Sequence, residues 1–423
     1  MLKEYPEYKE TDLPWCPIVP KHWNLLRNKN VFIPRKELVE NRADDFDLLS
    51  LTKQGVIVRD IDNGKGKFPK DFETYLVVNP DDIIFCLFDI DETPRTVGLS
   101  KNKGMITGAY DVFSIKNVQK EFVYYYYLFL DNFKLLKPLY SGLRKTIKPT
   151  LFLSIKLPIP PISEQNAIVK YLDYKTKQID EFVSAKEKEI ESLQDLKKSL
   201  VADAVTKGIS GEELVDSGIE WLPKVPKGWT VHTLRHLLKA FSEKNHSEMQ
   251  LLSVTRELGV IVRDVEDTES NHNFIPDDLS NYKMVKKGQF VINKMKAWQG
   301  SYGVSDFDGI VSPAYFIFDL NFEDKDFFHL AIRSRKYADF FARYSDGIRS
   351  GQWDLSMLDM KNIPFFIPPK EEQKKIVKYC KDKVRNINIL ISSIQKQITL
   401  VKELRTKLIA DAVTGKIDVR EAI

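Results

Sequence analysis

Apolar residues recur at steps of three and four along two stretches that, past an opening Pro-Pro, contain neither proline nor glycine. The first opens at Pro160-Pro161 and ends at Thr206; the second opens at Pro368-Pro369 and ends at Thr414. In the first, the stripe runs through Ile168, Leu172, Ile179, Phe182, Ile190, Leu193, Leu196 and Leu200. In the second it runs through Ile376, Ile387, Ile391, Ile394, Ile398, Val401, Leu404 and Leu408. This spacing predicts two long helices with a narrow coiled-coil seam, interrupted by Lys175, Lys186 and Lys383. Each begins with prolines that stop an upstream helix and an acidic first turn, with Ser163 as the N-cap of the first. Each ends before a glycine, Gly208 or Gly415, where a helix terminus favours one. At ~1.5 Å per residue, such a helix is about 65 Å long and cannot bury its own stripe.

The two stretches align at an offset of 208 without a gap, and about twenty of 47 positions are identical. A period that long means two fused copies of a whole module. Upstream of each helix the copies stay parallel. Leu13–Trp23 and Trp221–Trp229 are rich in proline and tryptophan and predict an extended segment docked on its domain. Leu48–Asp60 and Leu251–Asp264 read as strand, turn, strand, because β-branched runs flank a glycine. More strands follow, then an aromatic helix in each copy (Phe122–Leu130 and Phe327–Tyr344), then loops at Tyr140–Ile147 and Tyr344–Trp353. The tyrosines at 124–127 read as helix packing rather than as a base-stacking platform. The expected class is α+β, with a domain over 1–158, a helix over 159–208, a domain over 209–366 and a helix over 367–423. The expected packing is one helix against the other, antiparallel, with Ile168, Leu172, Ile179, Leu193, Leu200, Ile376, Ile387, Ile394, Val401 and Leu408 at helix or partner interfaces.

Composition changes little. The chain has 423 residues, 43% hydrophobic and 29% charged, with net charge +4, so any basic surface is local. Cys16, Cys86 and Cys380 are scattered, which suits a reducing compartment, and no apolar run approaches a membrane span. A cytoplasmic protein is expected. No Walker A loop, dinucleotide fingerprint or Asn/Asp-Pro-Pro-Tyr/Phe motif occurs, and the six histidines form no ligand set. The expectation is a chain that catalyses nothing and binds no metal or cofactor itself.

Donor-rich loops between the strands are the candidate chemistry. In the second copy these are Arg256, Arg263, the run Asn293, Lys294, Lys296, Trp298 and Gln299, and Arg349, Ser350 and Gln352. In the first they are Lys53, Gln54, Arg59, Lys65, Lys67, Arg144, Lys145 and Lys148. Arginine and lysine hold phosphates or guanine, amides pair with adenine, and aromatic rings stack on bases. A solvated loop with its tryptophan in the core is the competing reading for each. An ungapped alignment places Asp89 and Asp91 where the second copy has Lys296 and Trp298, so the halves would read different bases.

Taken together, Pro-Pro-x-x-Glu-Gln before a long helix, Asn-Lys-Met-Lys-Ala-Trp-Gln-Gly at 293–300, Gly-Ile-Val-Ser-Pro-Ala-Tyr at 309–315, Gly-Ile-Arg-Ser at 347–350 and the ending Ala412–Arg420 resemble the specificity subunit of type I restriction–modification systems. The first copy departs from the pattern: it lacks the Lys-Met-Lys-Ala-Trp-Gln loop, and Ile-Thr-Gly-Ala-Tyr replaces Ile-Val-Ser-Pro-Ala-Tyr. The resemblance implies two target-recognition domains held apart by two antiparallel helices, each reading half of a split site in double-stranded DNA. It also implies two methyltransferase subunits and added restriction subunits as partners, with S-adenosylmethionine, ATP and magnesium on those partners. A self-contained methyltransferase–nuclease and a purely structural scaffold are the competing classes.

Overall fold

The same four-stranded antiparallel sheet occurs in each half of the chain. The computed structural model describes residues 3–59, 72–140, 145–265, 275–349 and 352–422. Two units divide it: residues 1–186 with 395–423, and residues 187–394. In the first unit the sheet order is Phe32–Arg35, Asp111–Ile115, Ile83–Phe85, Val97–Leu99. In the second it is Leu238–Phe241, Tyr315–Leu320, Phe290–Asn293, Tyr302–Val304. A separate strand pair closes each copy just before its long helix: Asn24–Arg27 with Lys156–Ile159, and Thr230–Thr233 with Pro364–Ile367.

Local sequence explains the hairpins. The β-branched run around Gly55 gives the antiparallel pair Leu49–Thr52 and Gly55–Val58, and the run around Gly259 gives Leu252–Thr255 and Gly259–Val262. Both glycines have positive φ, which a tight turn requires. The proline- and tryptophan-rich segments dock as expected, with Trp23 wholly buried and Trp229 nearly so.

The aromatic helix of the first unit spans Lys120–Asn132, and Tyr125, Tyr126 and Tyr127 are buried in it. Tyr126 accepts from Trp15 Nε1 (2.9 Å), Tyr127 donates to Asn28 (2.7 Å) and Tyr125 donates to Asp173 (2.6 Å). These rings fill the core and satisfy their hydroxyls there. In the second unit the single expected helix is two, Lys325–Ile332 and Arg335–Arg343, parted where Ser334 turns extended. The loop expected after it is a hairpin, Ser345–Arg349 with Gln352–Leu355.

The two long helices span Ile162–Lys207 and Lys370–Val413. Ser163 therefore lies inside the first turn. Gln165 and Gln373 instead tie the helix start to the chain before it, each donating from Nε2 to a proline carbonyl, Pro160 or Pro368 (both 2.8 Å). Each unit contains part of both helices. In the first, Ile168 and Leu172 share a core with Ile409 and Val413, and Asp180 meets Arg405 (3.5 Å). In the second, Ala204 and Val205 share a core with Ile376 and Cys380, and Lys197 donates to Asn388 (3.2 Å). Within each unit the residue number rises along one helix as it falls along the other, so the segments run antiparallel.

The seam differs from expectation by one position in three places. On the second helix Ile376, Ile387, Ile391, Ile394 and Ile398 are buried as expected, and Val401 and Leu408 are half-buried. On the first, Ile168, Leu172 and Ile179 are buried, Ile190, Leu193 and Leu200 half-buried. Phe182, Leu196 and Leu404 are exposed, while the residues after them are covered, Val183 buried and Lys197 and Arg405 half-buried. A lysine or arginine occupies such a position by laying its apolar stem inward and pairing its polar end, Lys197 with Asn388 and Arg405 with Asp180, which a hydrophobicity pattern cannot register.

Gly208 and Gly415 both have φ +72°, the left-handed terminus their sequence positions predict. A Cβ at Gly415 would overlap the Pro20 ring and lie 3.2 Å from Trp23. Gly415→Ala combines that overlap with a disfavoured φ and is expected to cost about 2–4 kcal/mol, read as a shift in the denaturant midpoint.

Candidate nucleic-acid interface

In each unit one loop leaves the sheet at the same point and is held the same way. After Ile83–Phe85, the carbonyl of Leu87 accepts from Ile147 N (2.8 Å); after Phe290–Asn293, the carbonyl of Lys294 accepts from Leu355 N (3.0 Å). Cys86 N donates to Thr96 O and Asn293 N to Ser301 O, which close the two loops. The first loop is thereby two residues longer. From this start Asp89 corresponds to Lys296 and Asp91 to Trp298, as the ungapped alignment expects.

The loops carry opposite chemistry. In the first unit, Asp91 accepts from the Tyr140 hydroxyl (2.8 Å) and faces Lys137 (3.3 Å) and Lys145 (3.7 Å). The Tyr140 hydrogen bond, with Lys137 and Lys145, pulls the Asp91 carboxyl down to about 2, and Tyr140 is pushed up to about 12 by burial and by Asp91. Lys145 also pairs with Glu92 (2.6 Å). Lys145 is thus engaged by carboxylates in the free chain.

In the second unit Lys296 and Gln299 are exposed, while Trp298 packs on Trp353 with ring centroids 5.1 Å apart. Lys294 pairs with Asp354 (2.8 Å). Asn293 is buried, and its amide donates to the Tyr315 hydroxyl (3.1 Å), so it supports the loop instead of facing solvent. The sequence places it at the loop, but the strand continues one residue further and turns it inward.

Beside this loop is a basic patch that the sequence reading missed. Lys283 Nζ donates to Tyr315 O (2.8 Å), and Met284 N donates to Glu243 O (2.8 Å), which brings Lys244 alongside Lys283. Burial, with Lys244 and Lys294 nearby, lowers the Lys283 ammonium below its ordinary value. Like charges gathered at a half-buried lysine favour an arriving anion such as a phosphate. The only signal in sequence is cross-strand pairing, which a single-residue reading lacks.

The remaining candidates spread over hairpin tips and edges. Lys53 and Gln54 form the exposed turn before Gly55, and Arg256 is exposed at the matching turn. Arg59 and Arg263 are half-buried just beyond those hairpins, and Lys148 is exposed at the start of the short helix Pro149–Ser154. Lys65, Lys67, Arg144 and Ser350 lie outside the described residues, as do the side chains of Arg349 and Gln352. Among the described residues no group of three or more His, Cys, Asp or Glu could hold a metal ion, and no helix is long and apolar enough to cross a membrane.

Comparison with known proteins gives the duplicated frame a family. Residues 57–192 and 226–400 match the type I restriction modification DNA specificity domain. The chain belongs to that family. It is similar to the type I restriction enzyme MjaVIII specificity subunit of Methanocaldococcus jannaschii, 24% identical over 372 residues that cover 84% of this chain and 83% of that one. A chain from a study of complex assembly and conformational transition of the type I R-M system superposes with TM-score 0.63 at 12% identity, covering 93% and 98% of the two chains. The HsdS subunit of Thermoanaerobacter tengcongensis matches with TM-score 0.49, 14% identity and coverage of 94% and 98%. A type I specificity chain is the non-catalytic, DNA-recognising subunit of its system.

Proposed function

We propose that each unit reads one half of a bipartite site in double-stranded DNA, separated by a spacer of unread base pairs. The observation that carries this reading is the repeated sheet, with the same strand order and loop anchoring but acidic chemistry in one loop and basic, aromatic chemistry in the other. Two readers of one frame with different side chains select different bases. The two long helices, as one antiparallel coiled coil, would fix the spacer. Half-sites roughly one to one and a half DNA turns apart would suit such a spacer.

Two methyltransferase subunits would dock on the exposed apolar positions of the helices, and restriction subunits would join them. S-adenosylmethionine, ATP and magnesium belong on those partners, and the target adenine leaves the stack in the partner's site. Such a complex works in the cytoplasm, where the chromosome is.

Long-read mapping of modified adenines in host DNA, with and without the gene, tests the reading. One split motif that vanishes with the gene is expected; an unchanged set of marks defeats the proposal. Phosphate contacts by Lys244, Lys283 and the loop cations predict strong salt dependence. Affinity of the assembled complex for its duplex should fall about 10³-fold or more between 50 and 200 mM salt, measured by fluorescence anisotropy.

A further inference from the structure

We propose that Arg333 is a positioning residue that locks two separate loop tips of the second unit into one base-reading surface, an inference that rests on the DNA-reading function above. Arg333 sits just past the end of the helix Lys325–Ile332, and its guanidinium reaches two loops at once. One nitrogen donates to Arg256 O (2.8 Å) and Glu257 O (3.0 Å), at the tip of the hairpin Leu252–Val262. The other donates to Gly300 O (3.3 Å) and Tyr302 O, at the end of the loop that carries Lys296, Trp298 and Gln299. Four main-chain carbonyls on two loops are thereby referred to a single planar group, whose fork geometry a lysine lacks.

His329, one helical turn earlier, completes the clamp. Its Nδ1 accepts from Val304 N (3.1 Å), and a Cβ at Gly303 would lie 3.1 Å from the imidazole and 3.4 Å from Gly259 Cα. The hairpin thus approaches the sheet with only glycines between. Burial and the Arg333 charge depress the imidazole to about 4, so it stays a neutral acceptor across the physiological range. Both tips then present unusual groups to solvent: Leu258 is 69% and Met295 46% exposed, beside the exposed Arg256, Lys296 and Gln299. Exposed apolar side chains next to cations suit contact with base edges and thymine methyl groups. In the first unit the cation just past the matching helix, Lys134, reaches one loop, donating to Thr93 O (2.8 Å) and pairing with Asp131 (2.7 Å). There Gly98, which occupies the sheet position of Gly303, faces Leu51 and Val56 of its own hairpin.

The test is the pattern of modified adenines in cells carrying the full chain as wild type, Arg333→Lys, Arg333→Ala, Gly303→Ala, or a double Lys296→Ala/Gln299→Ala variant. The expected result is that R333A and R333K relax one half of the split motif only. The preference for the best base over the next there should fall at least about fivefold, while the other half and the spacer are kept. A merely structural role would lower the number of marks without blurring one half, and would be rescued by lysine. R333A and R333K cells that mark the wild-type motif with wild-type stringency overturn the proposal. If R333A abolishes marking by unfolding the unit, G303A decides, since it shifts the hairpin without removing the charge: a blurred half supports the clamp and an unchanged motif overturns it. The tip variant separates the two readings. If it leaves the motif unchanged while R333A blurs it, the clamp stands and the other exposed tip groups, Arg256, Leu258 and Met295, do the reading in place of Lys296 and Gln299. If it blurs the motif and R333A does not, the loop reads and the clamp is wrong.

Discussion

Glu164→Ala is expected to destabilise the first unit by about 3–5 kcal/mol, whereas Glu372→Ala, its repeat counterpart, costs about 1–2 kcal/mol. The difference lies in the donors each carboxylate satisfies. Glu164 is buried and accepts from the Tyr5 hydroxyl (2.5 Å), Trp23 Nε1 (2.7 Å) and His22 Nε2 (2.8 Å). Truncating it strands the fully buried indole N–H and the buried phenol without partners, which is the expensive outcome for a buried donor. Among the described residues Glu372 accepts only from Trp229 Nε1 (3.0 Å), and its buried Oε1 has no partner. The second copy has Gly228 where the first has His22, next to the shared tryptophan.

The same asymmetry gives a pH signature. Burial raises the Glu372 pKa, Trp229 opposes that rise, and Glu212 adds to it. A carboxyl raised in the folded state binds its proton more tightly there than in the unfolded chain. Its penalty is therefore absent below the ordinary glutamate range, develops as pH rises through the raised value and is complete above it. Glu372→Gln should remove that slope and be neutral or stabilising by up to about 1 kcal/mol at neutral pH. Glu164→Gln should cost about 1–2 kcal/mol, since charge-assisted bonds become neutral ones. Denaturant melts at pH 5 and 7.5 check both, and equal costs for the two alanine variants would refute the assignment.

What was legible in the sequence follows from the range of the interactions. The helix limits, the glycine stops and the two hairpins are set by neighbours a few residues away, and the structure has them where the pattern places them. Pro-Pro-x-x-Glu-Gln announced a helix start, but not that its glutamate binds a tryptophan some 140 positions earlier in the chain (Trp23 and Glu164, Trp229 and Glu372). The break at Ser334 escaped because Arg333 leaves the helix face to reach four carbonyls whose loops are distant in sequence. Asn293 and Lys283 were misjudged or missed for one reason: the direction of a side chain at a strand end depends on cross-strand register, here Asn293 opposite Tyr315. Site chemistry was therefore readable as loop composition, whereas the geometry that selects among those residues was not.

The one-position error along the seam has the largest functional consequence. Phe182 and Leu196 on the first helix and Leu390 and Leu404 on the second are 39%, 53%, 53% and 48% exposed. The repeat offset pairs Phe182 with Leu390 and Leu196 with Leu404, and each unit holds one residue of each pair. A duplicated apolar position left in water at matched sites predicts two equivalent partner sites, as two methyltransferase subunits would need. Burying one such side chain contributes about 1.5–3 kcal/mol, so losing two weakens a site about 10²–10⁴-fold. Phe182→Asp with Leu404→Asp should remove one of two bound partners, and the four-fold variant both, as counted by native mass spectrometry of the co-purified complex. Melting of the chain itself should change little, because these positions are already solvated. Ile391→Asp, one residue from Leu390, is the contrast: it is 8% exposed, and an unpaired charge there should cost more than about 4 kcal/mol and abolish folding instead. Full partner stoichiometry in the four-fold variant would mean the exposed stripe is not where partners dock.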